Sequence, residues 1–299
     1  MRDLTLIPAR AISPVERAQI LNRSYIDYYV PMRLSPDQIA SIDRFYDIDL
    51  DRSVMAMSEH ELVGMALLSV RGDRGWISGV GVLPEHRRRG IACAMVARLV
   101  EGARQAGVRE ISLEVIAQNT SAWRLYAEAG FEVTRELLLW RRAADADALP
   151  IPEERLTAAS PGVLLERFDR WHRESATWQR DAATLARMAV AGRLKGYQLE
   201  WRGAPVAYCL VSGYGESVAL MDVGIDPATR IVTPGRILIQ ALSHLHWGKA
   251  MTISNVPADD PLNRVLAALR FLVTMRQVEM KLSLARSAPE AHDAQGMPK

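Results

Sequence analysis

The chain has 299 residues, 49% of them hydrophobic and 24% charged, as expected of an ordinary globular protein with about two domains. A formal net charge of only +2 argues against nucleic acid or an anionic membrane surface as a partner. The chain has no signal-like N-terminal core, no apolar run of the about 18 residues that span a bilayer, and only two cysteines, far apart. These features predict a cytoplasmic protein without disulfides or a metal site.

The first half of the chain alternates strand and helix patterns. Ser13 before Pro14 and Ser35 before Pro36 are typical helix starts, with serine at the N-cap and proline in the first turn. In chain order we expect a strand at 4–8, a helix to about 25, a helix at 35–46, strands at 54–57, 62–70 and 76–83, a helix from 91 to Gly107, a strand at 110–116, a helix from 119 to 130 and a strand at 131–140.

The second half is separated from the first by residues 143–159, which are rich in Ala, Asp and Pro and lack apolar periodicity. After this linker we expect a helix at 177–191, strands at 197–201, 206–212 and 218–225, a helix at 234–247, a strand at 251–256, a helix at 261–269 and a strand at 274–284. The polar tail 287–299 is predicted to be disordered.

The two halves share a weak repeat. Pro84 and Arg87 have the same spacing as Pro227 and Arg230, and each pair is followed by a helix, a strand and a second helix. We therefore predict two copies of one fold: a first domain at 1–142, the linker 143–159, a second domain at 160–286 and the tail 287–299.

Residues 80–100 carry the most specific chemical signal. They form the end of a strand, Pro84, the run Arg87–Arg89, then Gly90 and an amphipathic helix. The unpaired N–H groups and the dipole at a helix start favour an anion, and a glycine lets a phosphate approach the backbone. The stretch lacks the G-x-G-x-x-G and G-x-x-x-x-G-K-[ST] patterns of two common phosphate sites. Without further evidence, a helix start beside a solvated arginine run remains an equal alternative.

A second motif resolves this ambiguity. The sequence from Arg87 to Ala92 resembles the pyrophosphate loop R/Q-x-x-G-x-G/A of the GNAT superfamily of acyl-CoA-dependent N-acyltransferases. Downstream, Asn119 to Phe131 resembles the family's motif N-x-x-A-x-x-L-Y-x-x-x-G-F. The resemblance covers 4–142 well and 160–285 weakly. It implies an α+β fold (mixed α/β) of two GNAT-like domains, each a mostly antiparallel, splayed mixed sheet flanked by helices.

The resemblance also implies acetyl-CoA as co-substrate, with no metal. In the family the cofactor's pantetheine arm enters between the central strand and the next strand, and pairs with the central strand. The bare face at Gly79 and Gly81 suits this crowding, and Asn119 would contact the arm. The residues implied to bind the cofactor are Val80, Gly81, Val82, Arg87, Arg88, Arg89, Gly90, Ile91, Ala92, Cys93, Asn119 and Tyr126.

For the transfer itself, the resemblance implies that an amine attacks the thioester directly in a ternary complex while Tyr126 protonates the leaving thiolate. A protonated amine also needs a base, and the central strand 76–82 contains no carboxylate. Glu114 on the next strand is one candidate. Asp27 with Tyr28, in the region where the family recognises its acceptor, is another, so the base is left open and these two are candidate substrate contacts.

The second half departs from the family pattern, since Leu266 stands at the position of Tyr126 and the loop lacks counterparts of Gly90 and Ala92. We expect a degenerate copy that supports the first and walls off part of the acceptor site. The predicted enzyme is an N-acetyltransferase, monomeric or homodimeric, acting on a small-molecule or peptide amine. The alternative is a non-catalytic acyl-CoA-binding sensor that keeps the fold.

Overall fold

The computed structural model describes residues 4–30, 32–144, 156–172, 175–229 and 232–284, and their strands form one twelve-stranded sheet flanked by helices. Most neighbouring strands are antiparallel, so the predicted α+β class is confirmed. The tail 287–299, most of the linker and Arg230 of the predicted repeat lie outside the described residues. None of the helices within the described ranges is long and apolar enough to cross a membrane.

The described part of the first half forms β1 (Leu4–Pro8), α1 (Pro14–Ser24), α2 (Pro36–Tyr46), β2 (Val54–Ser58), β3 (Glu61–Arg71), β4 (Arg74–Val82), α3 (Ile91–Gln105), β5 (Glu110–Ile116), α4 (Thr120–Glu128) and β6 (Glu132–Arg142). The predicted helix starts at Ser13 and Ser35 are confirmed, because each serine accepts a hydrogen bond from the third helical N–H in a full capping box.

The described part of the second half forms β7 (Leu156–Ala159), α5 (Pro161–Leu165), α6 (Phe168–Trp171), α7 (Ala182–Val190), β8 (Lys195–Trp201), β9 (Ala204–Tyr214), β10 (Ser217–Ile225), α8 (Val232–Leu245), β11 (Ala250–Pro257), α9 (Leu262–Ala268) and β12 (Leu272–Ser283). Short 3-10 turns occur at Ala9–Ala11, Pro84–His86 and Trp178–Arg180.

Two predictions for the second half were wrong. The linker was extended to 159, but Leu156–Ala159 pair with β8 as an edge strand, too short to show apolar periodicity. The single helix at 177–191 is a 3-10 turn followed by α7, because the Asp181 side chain accepts the Thr184 N–H at 2.9 Å and starts a new helix there.

The order of strands shows that the two halves exchange their last strands. The order is β1-β2-β3-β4-β5-β12-β6-β11-β10-β9-β8-β7. The last strand of the second half, β12, therefore lies between β5 and β6, while β6 lies between β12 and β11. One sheet thus runs through both halves, and each half is completed by a strand of the other.

The sheet opens at two equivalent places. The parallel strands β4 and β5 pair only from Arg74 to Trp76, opposite Glu110 to Ser112, and then diverge. In the second half β10 and β11 pair only from Ser217 to Ala219 before they diverge. These matching openings support the interpretation of the chain as two copies of one fold.

The exchange predicts that both halves lose stability together. Leu137 on β6 is fully buried and has register partners on both β11 and β12. We expect Leu137→Ala to lower the free energy of unfolding by about 3 kcal/mol in urea titrations, because it leaves a cavity between the halves. Leu272→Ala on β12, where the leucine is 72% exposed, is the matched control and should cost less than about 0.5 kcal/mol. A Leu137→Ala variant in which one half unfolds separately, at unchanged stability of the other, would contradict the shared-sheet interpretation.

Candidate functional site

A cavity of about 470 Å³ lies where β4 and β5 diverge. Aromatic rings from the first half form much of its wall: Tyr25, Tyr28, Tyr46, Trp76 and Tyr126. The opposite side belongs to the second half and includes Gln179, Arg180, Met221, Asn255, Met275 and Gln277. The cavity is therefore built by both copies, in agreement with the expectation that the second half walls off part of this site.

Glu114 lines this cavity from β5. It is the fifth residue of β5, just beyond the last residue pairs with β4, and its side chain is half-buried. Trp76 Nε1 donates to Oε2 at 2.9 Å, and Gln179 Nε2 donates to the same oxygen at 3.0 Å. The other oxygen, Oε1, is shielded from solvent and has no partner among the described residues. Both donors thus fix the carboxylate while Oε1 stays available.

Burial raises the pKa of Glu114 to about 7, despite the opposing effect of the hydrogen bonds from Gln179 and Trp76. Glu279, directly opposite on β12, adds repulsion and raises the pKa further. Arg135 on β6 limits this repulsion, since it holds Glu279 at 2.9 and 3.0 Å. A carboxyl group with a pKa near neutrality is suited to exchange protons with a bound ligand.

Tyr126 reaches the cavity from α4. The helix begins at Asn119, whose side-chain oxygen accepts the Ala122 N–H at 3.2 Å. The Tyr126 ring is buried edge-to-face against Phe131, with centroids 5.9 Å apart. Burial, with smaller contributions from Tyr25 and Tyr28, raises the pKa of the Tyr126 hydroxyl. This phenol therefore stays protonated at the edge of the cavity.

The end of α1 packs against the glycine face of β4. A Cβ at Gly81 would lie 2.8 Å from Ser24 Cβ, and one at Gly79 would lie 3.4 Å from the Tyr25 hydroxyl. The bare face at Gly81 therefore accommodates Ser24 at the end of α1, while Gly79 lines the cavity, and the expectation that this face suits a closely bound cofactor stays a prediction. The binding surface that remains on β4 is its open edge toward β5.

The backbone at this open edge is partly occupied by side chains. Leu83 N–H donates to Val63 on β3, so the polar groups of Val80 and Val82 alternate to the other side, toward the opening. The Val80 carbonyl accepts the Tyr25 hydroxyl, and the Val82 carbonyl accepts Arg87 Nε, each at 3.1 Å. Neither contact involves the N–H groups of these two valines.

The loop before α3 has the geometry of an anion site. Gly90 is the N-cap, with a left-handed φ of 73°, and precedes a helix of 15 residues. Arg88 is left-handed as well, with a φ of 62°. Arg88, Arg89, Gly90 and Cys93 are exposed around the helix start, whereas Ile91 packs into the core. The predicted pyrophosphate residues are thus adjacent and accessible from solvent.

Arg87 and Asp27 are held by each other. The Arg87 guanidinium donates to both Asp27 carboxylate oxygens at 2.6 and 2.7 Å, and to the Ser24 carbonyl at 3.0 Å. These bonds keep the pKa of Asp27 below its usual value, mainly through the hydrogen bond from Arg87. Asp27 is not among the residues that line the cavity, whereas Tyr28 is. The geometry therefore disfavours Asp27 as the base, and its role as a substrate contact stays a prediction.

The equivalent opening in the second half has different side chains and borders a smaller cavity of about 280 Å³. Register and the two prolines align Asp222 with Gly79 and Ser254 with Glu114. Asp222 is buried and accepts hydrogen bonds from Tyr208 at 2.8 Å and His172 at 2.9 Å. The second half thus has a carboxylate on its central strand, but each of its oxygens is hydrogen-bonded to a side chain of the same half.

Sequence reasoning missed three residues that define the site. Trp76 was one of seven scattered tryptophans, and only its position on the strand beside Glu114 could have signalled a role. Gln179 is 65 residues from Glu114 in sequence, and Gln277 reaches the cavity through the strand exchange. No local motif marks either glutamine, so neither could be found without the order of strands.

Comparison with known proteins supports one family. Residues 19–131 match the acetyltransferase (GNAT) family. An acetyltransferase of Sodalis glossinidius is 31% identical over 103 residues, which is 34% of this chain and 72% of the relative. Aminoglycoside N(6')-acetyltransferase type 1 of Salmonella typhimurium is 26% identical over 138 residues, covering 41% of this chain and 95% of that enzyme.

Two further matches extend over both halves. The mycothiol acetyltransferase of Catenulispora acidiphila is 29% identical over 246 residues, 75% of this chain and 77% of the relative. The solved structure of a tandem GNAT protein from the clavulanic acid biosynthesis pathway superposes with a TM-score of 0.69 at 17% identity, covering 96% of this chain and all of that one. At 17% identity the latter likeness concerns the fold alone, and it shows that this chain shares the fold of a tandem GNAT protein.

The raised pKa of Glu114 predicts a pH-dependent stability. Because the folded protein holds this proton up to pH 7 and the unfolded chain releases it near 4.5, stability falls as the pH rises through this window. We expect Glu114→Gln to avoid this loss and to gain about 3 kcal/mol over the wild type at pH 8 relative to pH 4. Urea titrations at both pH values measure the difference. Parallel pH profiles for the two proteins would contradict the assigned pKa.

Proposed function

Because the chain belongs to the GNAT acetyltransferase family and is an acetyl-CoA-dependent acyltransferase, we propose that its first half transfers acetyl from acetyl-CoA to a primary amine in the cavity described above. The observation that carries this proposal is that Glu114, a carboxyl group of pKa about 7 whose Oε1 has no partner among the described residues, lines the same cavity as the protonated Tyr126. The cavity thus offers a base for the attacking amine and an acid for the leaving thiolate.

The residues at the sheet opening fit acetyl-CoA. The N–H groups around Gly90 and the start of α3 would hold the pyrophosphate, with Arg88 and Arg89 adding charge. The open edge of β4 at Val80 and Val82 would pair with the pantetheine arm, and Asn119 lines the cavity beside it. When bound, acetyl-CoA supplies an activated thioester. Backbone N–H groups at the end of β4 would stabilise the oxyanion, an effect worth about 3 kcal/mol.

The role proposed for Arg87 differs from that of its neighbours. Its guanidinium is committed to Asp27 and to two carbonyls, so only its backbone is available to the pyrophosphate. The side chain instead ties the end of α1 to the end of β4. We propose that this contact fixes the loop, and that Arg88 and Arg89 provide the charges that face the cofactor.

Glu114 is the proposed general base. An alkylammonium has a pKa of about 10.4, so a carboxylate near 4.5 would be about six units too weak to remove its proton. A pKa of about 7 reduces this gap to about three units. The poorly solvated cavity also favours the neutral amine over the ammonium. Oε1 would accept the proton while Trp76 and Gln179 hold Oε2 in place.

Tyr126 is the proposed general acid. Burial keeps its proton on the hydroxyl until negative charge develops on the departing sulfur. An ordinary thiol has a pKa of about 8.5, and burial in the cleft would raise it, which favours protonation of the leaving sulfur. As the C–N bond forms and the C–S bond breaks, the proton would pass from Tyr126 to sulfur, and the second proton lost by the attacking nitrogen would restore the phenol.

The walls of the cavity suggest a compact acceptor. A volume of about 470 Å³ suits a drug-sized group or a side chain, and the aromatic rings and methionines bury its apolar part. Ser78 and Gln277 add polar side chains to the lining of the same cavity, and we propose that they contribute to recognition of polar groups of the acceptor. We propose a small-molecule amine or an amine on a peptide side chain, in line with the N-acetylation named for the Salmonella relative.

We propose that the second half, 160–286, is not catalytic. Leu266 is fully buried where the first half has Tyr126, and Ser254 replaces Glu114. The main argument for the alternative function, a sensor that binds acyl-CoA without turnover, was the lack of a carboxylate on the central strand. Glu114 supplies that carboxylate from the neighbouring strand, so the enzyme is favoured over the sensor.

Binding should be restricted to one site per chain. We expect calorimetry with acetyl-CoA to give a stoichiometry of one, and Gly90→Val to weaken binding at least tenfold, since a β-branched residue is strained at a φ of 73° and crowds the helix start. Gly248→Val is the matched control, because Gly248 has a φ of 75° with nothing nearby. Two equal sites, no binding, or equal weakening by both variants would contradict the proposed cofactor site.

Turnover should depend on both proposed catalytic side chains. We expect Tyr126→Phe and Glu114→Gln to bind acetyl-CoA within about twofold of the wild type and to lose about 10²–10⁴ in kcat, the usual size of acid or base catalysis. Amine-dependent thiol release across a panel of amines measures this loss. Tyr197→Phe, a tyrosine on β8 of the second half, is the control that should retain activity. Acetyl-CoA binding by the wild type with no amine-dependent thiol release would instead identify the sensor.

A further inference from the structure

We propose that Gln179, contributed by the second half, is a positioning residue that holds the Glu114 carboxylate and sets which of its oxygens takes the proton. This inference rests on the proposed function, in which Glu114 is the base. It gives the second copy a specific part in the chemistry of the first, beyond forming a wall.

The hydrogen bonds to Glu114 are asymmetric. Gln179 Nε2 at 3.0 Å and Trp76 Nε1 at 2.9 Å both donate to Oε2, and Oε1 receives no donor from the described residues. Two donors stabilise charge on Oε2, so the proton is directed to Oε1. With the hydrogen bond from Trp76 alone, the carboxylate of Glu114 could rotate about that hydrogen bond. The second hydrogen bond, from Gln179, fixes the orientation of the carboxylate plane.

The orientation of the Gln179 amide is itself fixed. Asn255 Nδ2 donates to Gln179 Oε1 at 3.4 Å, a long hydrogen bond, which directs the amide NH₂ group of Gln179 toward Glu114. Asn255 lies at a bulge of β11 with a left-handed φ of 57°, and its carbonyl accepts Arg180 Nη1 at 3.3 Å. The bulge therefore aims the Asn255 amide away from the regular ladder and at Gln179.

The neighbours of Gln179 anchor the turn that carries it. The Trp178 ring stacks on Trp76 with centroids 6.1 Å apart, and its Nε1 donates to the Tyr46 carbonyl at 2.8 Å. On the other side, Arg180 donates to the Met221 carbonyl at 3.2 Å. Gln179 thus lies between a residue fixed to the first half and a residue fixed to the second.

Several charged or titratable groups lie near Glu114 in addition to its two hydrogen-bond donors, Trp76 and Gln179. Glu279 faces it from β12 and is neutralised by Arg135 of β6, while Arg180 and the tyrosines of the first half line the same cavity. The hydrogen bond from Gln179 favours the ionised form of Glu114 against burial. Removing this donor while leaving the other groups in place should therefore make Glu114 harder to ionise.

The experiment follows the ionisation of Glu114 without relying on turnover. The indole Nε1–H resonance of Trp76, which donates to Glu114, is titrated by NMR in the full-length protein and assigned with Trp76→Phe. In the wild type we expect a midpoint near pH 7, and in Gln179→Met, which keeps the side-chain length, a midpoint about one pH unit higher. The acid limb of kcat should move toward higher pH by the same amount.

Two further variants make the result decisive. Gln198→Met is the matched control, because Gln198 also donates to a glutamate, Glu200, at 2.8 Å, but on β8, away from the residues that line the cavity. It should leave the Trp76 midpoint unchanged. Asn255→Gly keeps the left-handed backbone and removes only the amide, so it should raise the midpoint by a smaller amount, and it tests the proposal even where Gln179→Met fails to fold.

The outcomes separate this proposal from the proposed function. An unchanged midpoint in Gln179→Met and Asn255→Gly, or a kcat lowered equally at every pH, would overturn the positioning role. If Glu114→Gln abolishes the Trp76 titration yet retains turnover, the assignment of the base fails, while the shift in Gln179→Met still reports whether Gln179 controls the ionisation of Glu114.

Discussion

The exchange of β6 and β12 is the constraint on which the rest of the structure depends. It places Glu279 and Gln277 beside β5, in register with Glu114 and Ile116, although more than 160 residues separate them in sequence. It also extends the sheet without a break from the opening of the first half to that of the second. Since neither half has a complete sheet without the strand of the other, their relative placement is determined by backbone hydrogen bonds.

The two halves differ in the hydrogen bonds made by the carboxylate at each sheet opening. In the second half His172 lies 2.8 Å from the Phe168 carbonyl and 2.9 Å from Asp222, so both ring nitrogens face acceptors, an arrangement that favours the protonated ring. Burial would lower the pKa of His172, but Asp222 outweighs it and raises the pKa. Asp222 is thereby neutralised in place. Glu114 in the first half has neutral donors on one oxygen only, which leaves it able to exchange a proton.

The sequence predicted the parts of the site that are local. The loop Arg87–Cys93 and the helix beginning at Asn119 have short motifs whose backbone geometry follows from glycine and capping rules, and both form as expected. The sequence could not show that Ser24 packs against Gly81, because a bare strand face does not reveal which element packs on it. Gln179 and Gln277 could not be found at all, because their proximity to Glu114 results from pairing between halves. Edge strand β7 was missed because four residues are too few to show a period.

The second half contacts the cavity of the first half even though it has no equivalents of Tyr126 and Glu114. Leu266 and Ser254 stand where the first half has Tyr126 and Glu114, and Ser254 also lines the cavity of the first half. The turn at Trp178–Arg180, the bulge at Asn255 and strand β12 act on the first half, through Glu114 and the cavity wall. Arg71 of the first half reinforces this link, since it stacks on Trp178 at 4.2 Å and donates to Asp181 at 2.6 Å. These contacts give the second half a direct part in holding Glu114 and in forming the wall of the cavity.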